Sequence, residues 1–168
     1  VDIPRAVSNF HFFATAILHY ASESHNMEGV GINYTLRKPI GIVGCISPWN
    51  LPLYLFSWKI APALAAGNCV IAKPSEITPY TAYLLGQVAK DAGMPDGVLN
   101  ILHGHGATVG DAIVKHAKIK AISFTGGTTT GAYIARIAAP MFKKLSLELG
   151  GKNPNVIYAD CDFEEMMS

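Results

Sequence analysis

Charge is scarce in these 168 residues. Only 15% are Asp, Glu, Lys or Arg, and the formal net charge is +1. A chain with no excess of one sign lacks the means to capture nucleic acid or an acidic membrane electrostatically, so neither is expected as a partner. Cysteine is sparse too. Cys45, Cys69 and Cys161 are odd in number, form no C-x-x-C pair and lie in or near apolar runs. Reduced, buried thiols in a cytosolic compartment are expected, rather than a disulfide framework. No signal peptide is legible, and the location expected is cytoplasmic. No G-x-S-x-G elbow and no P-loop lysine occur, which disfavours serine hydrolysis and phosphoryl transfer. The stretch 39–58 carries no charge, but Pro48, Asn50 and Pro52 interrupt it and Lys59 follows. Two buried elements fit it better than one membrane span.

Hydrophobic residues make up 50% of the chain, a well-buried globular composition with no short repeat and no low-complexity tract. Asp2 and Pro4 open a helix on which Ala6, Phe10, Phe13, Ile17 and Ala21 share one face. His11 and His19 lie near each other on it, but no third ligand accompanies them for a metal. A polar stretch and "GINYTLRKP", a strand arm, follow. From Pro39 the pattern becomes strand, turn, helix, repeated. Strands are predicted at 40–46, 69–73, 97–102, 120–125, 144–149 and 154–159, with helices at 51–66, 78–91, 108–116 and 128–138. Strands without strict alternation, joined by helices, imply an α/β fold: a Rossmann-like, open, mostly parallel sheet covered on both faces. The predicted organisation is an N-terminal helical part (1–27), a strand arm of oligomerisation type (28–38), a nucleotide-binding domain (39–150) and the start of a further domain (151–168). Val1 stands close to a helix start and "DFEEMMS" reads as a helix just beginning, so a segment of a longer protein is expected.

Ligands bind such sheets at the carboxyl ends of the strands. The residues to inspect are therefore Ser47-Pro48-Trp49-Asn50, Lys73-Pro74-Ser75-Glu76, the loop from His103 to Gly106, Phe124-Thr125-Gly126-Gly127 and Glu148-Leu149-Gly150-Gly151. "GHGATVG" places Gly104, Gly106 and Gly110 between a strand and a helix, either as a phosphate-facing loop or as an ordinary tight turn. "TGGTTTG" lets backbone approach an anion at a helix N-terminus, or leaves Thr128 as a simple helix cap. Lys73 and Glu76 suit a ribose diol, and Glu76 would repel a 2′-phosphate, favouring NAD over NADP; the pair also reads as a surface ion pair. Asn50 reads as an oxyanion donor or as the N-cap of the next helix. Glu148, between Leu147 and Leu149, reads as a buried general base or as a solvated strand-end carboxylate.

Together "PIGIVGCISPWNLPL", "ALAAGNCVIAKPSEITP", "GVLNI", "ISFTGGTTTG" and "LELGGKNPNVI" resemble the aldehyde dehydrogenase superfamily over nearly the whole chain. The general look is nearest the 2-aminomuconic and hydroxymuconic semialdehyde types. The resemblance implies NAD as cofactor, an aldehyde substrate and a homo-oligomer, dimer or tetramer. It implies Asn50 as oxyanion donor and Glu148 as general base. Lys73 and Glu76 would hold the adenosine ribose, and Ile46, Pro48 and Trp49 would lie beside the cofactor. Gly106 and Gly110 match the glycine loop near adenine, Phe124 and Gly127 the segment passing pyrophosphate and nicotinamide, and Leu149 a backbone contact to the nicotinamide amide. Ser47, Ser75, Thr125, Gly126 and Thr128 complete the expected cofactor-binding residues, and no metal site is expected. Gly127 stands where many members carry Ser. In that family a cysteine thiolate attacks the aldehyde and the thioester is then hydrolysed. None of the three cysteines here matches that nucleophile, so the segment alone is expected to be inactive. A truncated nucleotide-binding or interaction module, and an esterase-like use needing the same thiol, are the other readings.

Overall fold

The computed structural model describes residues 2–154 and 156–167; Val1, Asn155 and Ser168 lie outside the described residues. The chain opens with helix α1 (Asp2–Ala16), tightened at its end into a 3₁₀ turn, Ile17–His19. An antiparallel hairpin follows, β1 (Ser24–Met27) and β2 (Gly31–Tyr34), with Ser24 opposite Tyr34 and Met27 opposite Gly31. Then come β3 (Ile42–Ile46), α2 (Pro52–Ala65), β4 (Cys69–Lys73), α3 (Tyr80–Asp91) and β5 (Leu99–Ile101). A π-helical turn, Gly106–Gly110, leads into α4 (Asp111–Lys115). The chain continues through β6 (Ile119–Thr125), α5 (Thr128–Ala138), a 3₁₀ turn, β7 (Lys144–Glu148) and α6 (Phe163–Met167).

Strands β3 to β7 form one sheet in the order β5-β4-β3-β6-β7, and every pairing in it is parallel. Alternation along each strand sends neighbouring residues to opposite faces. Val43 and Cys45 of β3 and Val70 and Ala72 of β4 pack with Phe56 and Ile60 of α2 and Ala82 of α3. Ile46, Ile122 and Phe124 face the other way, onto Ile113 and Val114 of α4 and Ile134 of α5. Two separate cores result, one on each face. Gly44 permits the close approach on the second face: a Cβ there would meet Ile113 Cγ2 at 2.5 Å and Ile122 Cδ1 at 2.9 Å. The Asn68 carboxamide locks the base of the sheet to α2. Its oxygen accepts from the N–H groups of Ile40 (2.7 Å) and Gly41 (3.1 Å), and its amide donates to the Ala63 carbonyl (3.1 Å).

Three expectations change. The sixth strand does not form: Pro154 and residues 156–159 belong to no sheet and are exposed. An apolar, β-branched run needs a partner edge, and β7 is the last strand of the sheet among the described residues. The first helix ends before Ala21, and the strand arm is one half of a hairpin whose other strand, the polar "SHNM", lay hidden in sequence. Cys69 and Cys161 are exposed rather than buried. Cys69 is the first residue of β4, at the rim of the sheet, and Cys161 lies in a turn.

The Asp2 carboxylate, from α1, caps α2. It accepts the N–H groups of Leu53 and Tyr54, each at 2.9 Å. Asp2→Ala strips both orphan donors of their partner and is expected to cost about 1 kcal/mol, or ~3 °C in thermal midpoint. Asp2→Asn should recover much of it; an unchanged midpoint in the alanine variant would contradict the capping role.

Candidate functional site

Parallel pairing brings the strand tips to one edge. Ile46 stands opposite both Lys73 and Phe124, and Thr125 stands opposite Glu148. The ladder runs one step further: Ser47 N–H donates to the Lys73 carbonyl and Gly126 N–H to the Glu148 carbonyl, both at 3.1 Å. Strand β3 is central, with β4 and β5 wound to one side and β6 and β7 to the other. The winding therefore reverses at β3, and a crevice opens where the connections part.

On the α4/α5 face this crevice is a cleft of about 520 Å³. Ile46 and Phe124 form its base, Gly106, Ala107, Gly110, Asp111 and Val114 one wall, and Thr129, Thr130, Tyr133 and Ile134 the other. The glycine loop shapes the first wall. Gly104 has φ 147°, which favours glycine, and a Cβ there would meet Val109 Cγ2 at 2.5 Å. Gly110 is buried and lies close on the Lys73 stem: a Cβ there would stand 3.8 Å from Lys73 Cδ. The walls are tied together by the Tyr133 hydroxyl, which donates to Asp111 Oδ1 at 2.6 Å. Hydrogen bonds from Lys115 and then Tyr133 hold the Asp111 carboxyl below the usual carboxylate range.

Next to the glycine turn lie Lys73 and Glu76. The Lys73 side chain is 3% exposed and that of Glu76 40% exposed, so the pair is no simple surface ion pair. The ammonium donates to the Pro74 carbonyl at 3.0 Å and to Glu76 Oε2 at 2.9 Å. The Lys73 hydrogen bond, a backbone N–H and the nearby charges keep the Glu76 carboxyl below its ordinary range. Ser75 is buried, and its hydroxyl accepts the Ile77 N–H at 3.3 Å.

After β3 the chain carries half-buried Pro48 and exposed Trp49 and Asn50. Asn50 is not the cap of α2. Leu51 occupies that position, and the capping is done by Asp2. The Asn50 amide thus has no hydrogen-bond partner among the described residues. Ser47 Oγ is buried and likewise unpartnered. Helix α5 has Gly127 at its N-cap and Thr128 as its first residue, with no side-chain cap, so Thr128 does not cap it. The space around Gly127 is open, with nothing within 4 Å of an added Cβ. Gly126 admits the Phe124 ring, which a Cβ would meet at 2.5 Å. Leu149 packs onto Gly131 of α5.

Glu148 belongs to the opposite face. It is exposed, not enclosed by its leucine neighbours, because Leu147 points to the α5 side while Glu148 points towards α2. Thr125 Oγ1 donates to Glu148 Oε2 at 2.8 Å. Lys59 of α2, only 5% exposed, in turn donates to Thr125 Oγ1. A chain of donors, ammonium to hydroxyl to carboxylate, so orients Glu148. It borders a second cleft of about 510 Å³ between α2 and β6–β7. Burial pushes the Lys59 amine down, against the pull of Glu148 and Cys45. Sequence reasoning missed Lys59; its signal was a lone lysine between Trp58 and Ile60 in an otherwise uncharged helix. Burial also pushes the Cys45 thiol up to about 12, which keeps it protonated. The expected site residues therefore share one edge but divide between two faces. Among the described residues no cluster of three or more His, Cys, Asp or Glu could hold a metal, and no helix is long and apolar enough to cross a membrane.

The chain is 54% identical to a 2-aminomuconic semialdehyde dehydrogenase of Danio rerio, over 100% of this chain and 35% of that protein. It is 55% identical to that of Homo sapiens, over 98% of this chain and 34% of the relative. The structure of an aldehyde dehydrogenase from Bacillus cereus, an NAD+ complex, superimposes with a TM-score of 0.93 at 43% identity, covering 98% of this chain and 33% of that one. The chain thus spans about a third of the length of these proteins. The model of the aldehyde dehydrogenase family matches residues 1–168, and the chain belongs to that family.

Proposed function

We propose that this chain is the coenzyme-binding part of a cytoplasmic, NAD-dependent aldehyde dehydrogenase that oxidises a muconic-type semialdehyde to the acid. The reading rests on the Lys73–Glu76 pair beside a cleft at the reversal point of the sheet. Identity with semialdehyde dehydrogenases supports the substrate class. The residues fit a dinucleotide. The cleft has the volume, the glycine turn at Gly106 and Gly110 shapes one wall, and Gly127 leaves open space at the uncapped start of α5. When bound, the nicotinamide supplies a hydride acceptor.

This chain's residues then have distinct work. Glu76 accepts hydrogen bonds from ribose hydroxyls while Lys73 donates, and the carboxylate repels a 2′-phosphate. The free Asn50 amide donates to an oxyanion. Glu148, oriented by Thr125 and Lys59, takes a proton from the attacking water. None of the three cysteines is proposed as the attacking thiol: Cys45 is buried and protonated, Cys69 opens β4 at the opposite edge of the sheet, and Cys161 is exposed in a turn after the last strand of the sheet. Residues 1–168 alone are therefore proposed to bind coenzyme without turnover, which is also what a nucleotide-binding module would do. The exposed β1–β2 hairpin is proposed as an oligomerisation arm.

Two experiments test this. Titration of the full-length protein with NAD+ and NADP+ should show tighter NAD+ binding, and Glu76→Ser should narrow the gap by about tenfold, the scale of one partly exposed like charge at contact. Tighter NADP+ binding by the parent would overturn the ribose assignment. Lys59→Met should slow turnover yet fold at least as stably at pH 7, since it removes a buried charge. The sign of the pH effect follows from the lowered amine. Between its folded value and the ordinary 10.5 the unfolded chain binds more protons, so stability rises with pH there. Denaturant titrations at pH 7 and 10 should show that part of the rise missing from Lys59→Met; an identical pH slope would contradict it.

A further inference from the structure

Neither His103 nor His105, which flank Gly104, has a role in the reading above. Gly104 takes a positive φ of 147°, and the residue after it approaches the turn after β4. His105 Nδ1 stands 3.9 Å from Glu76 Oε1. The two carboxylate oxygens are thus divided between two basic groups of different kinds. Oε2 takes the buried Lys73 ammonium, and Oε1 faces an imidazole that is 81% exposed. A lysine ammonium keeps its charge across the neutral range, whereas histidine is the side chain that commonly gains or loses charge between pH 5 and 8.

We propose that His105 is a specificity-determining residue, whose charge sets how strictly Glu76 excludes a 2′-phosphate from the coenzyme ribose. This rests on the reading of Lys73 and Glu76 as the ribose site. With His105 neutral, the Glu76 carboxylate has Lys73 as its one cationic partner and its free Oε1 edge turns a phosphate away. With His105 protonated, a second positive charge stands at that edge and offsets the repulsion. The charged group that faces His105 across the turn is Glu76, whose other oxygen is held by Lys73 of β4. Asp111 of α4, further along the same loop, is taken up by Lys115 at 2.7 Å and Tyr133 at 2.6 Å. The remaining titratable neighbour on its own loop is His103. Proximity to the imidazole already helps keep the Glu76 carboxyl low.

Calorimetric titration of the full-length protein with NAD+ and with NADP+, at pH 5.5 and 8.5, tests this without reference to turnover. The 2′-phosphate itself titrates near pH 6, so part of any pH dependence belongs to the ligand. His105→Gln isolates that part. The ratio of the NADP+ to the NAD+ dissociation constant should be the same in parent and His105→Gln at pH 8.5. At pH 5.5 it should be about fivefold lower in the parent, the scale of one exposed charge at this distance. His105→Lys, a fixed cation, should give the low ratio at pH 8.5 as well. Equal ratios for parent and His105→Gln at both pH values, or a His105→Lys ratio unchanged at pH 8.5, would overturn the proposal. Failure of NAD+ to bind the parent, or a Glu76→Gln ratio identical to the parent's at pH 8.5, would instead sink the ribose-site reading itself.

Discussion

Strand β3 has a parallel neighbour on each side, β4 reached by one winding and β6 by the other. Every feature of the candidate site depends on that arrangement. Because the pairs are parallel, the tips of β3, β4, β6 and β7 end on one edge, and residues far apart in sequence become neighbours: Ile46 with Lys73 and Phe124, Thr125 with Glu148. Because the winding reverses, the connections after β3 and β6 diverge and leave a cleft between α4 and α5. An antiparallel sheet with the same side chains would scatter them over two edges.

The same alternation that builds two cores separates two kinds of chemistry. Side chains of one parity, Ile46 and Phe124, serve the cleft that suits a nucleotide. Those of the other parity, Thr125 and Glu148, meet Lys59 from α2. A single buried lysine is an expensive group to keep, since burial alone pushes its amine down. Its placement against Thr125 directs a carboxylate. Capping of α2 by Asp2 satisfies the first-turn N–H groups from another element, and Asn50, which stands before the cap position, takes no part in it.

Much of the frame was legible before any coordinates. β-branched runs ended by Gly and Pro marked the five parallel strands to within a few residues, and Pro52 and Gly67 bracketed α2. What failed to read did so for physical reasons. "PNVIYA" has the composition of a strand, but composition does not supply a partner edge. "SHNM" has no apolar alternation and pairs through backbone alone, so nothing in its side chains announced β1. For Glu148 the leucine neighbours left burial and exposure both open; it is exposed, because adjacent strand residues face opposite ways and flanking residues say little about the environment of the one between them. Lys59 and His105 depend on contacts with residues 66 and 29 positions away, which no local pattern encodes.

Hydrogen–deuterium exchange of the full-length protein with and without saturating NAD+ measures whether the strand tips hold the coenzyme. Slowed exchange is expected to concentrate in the segments after β3 (47–50), after β4 (74–76), through the glycine turn (104–110) and at the start of α5 (126–130). Protection confined to the opposite edge of the sheet or to the β1–β2 hairpin, with those tips unchanged, would contradict it.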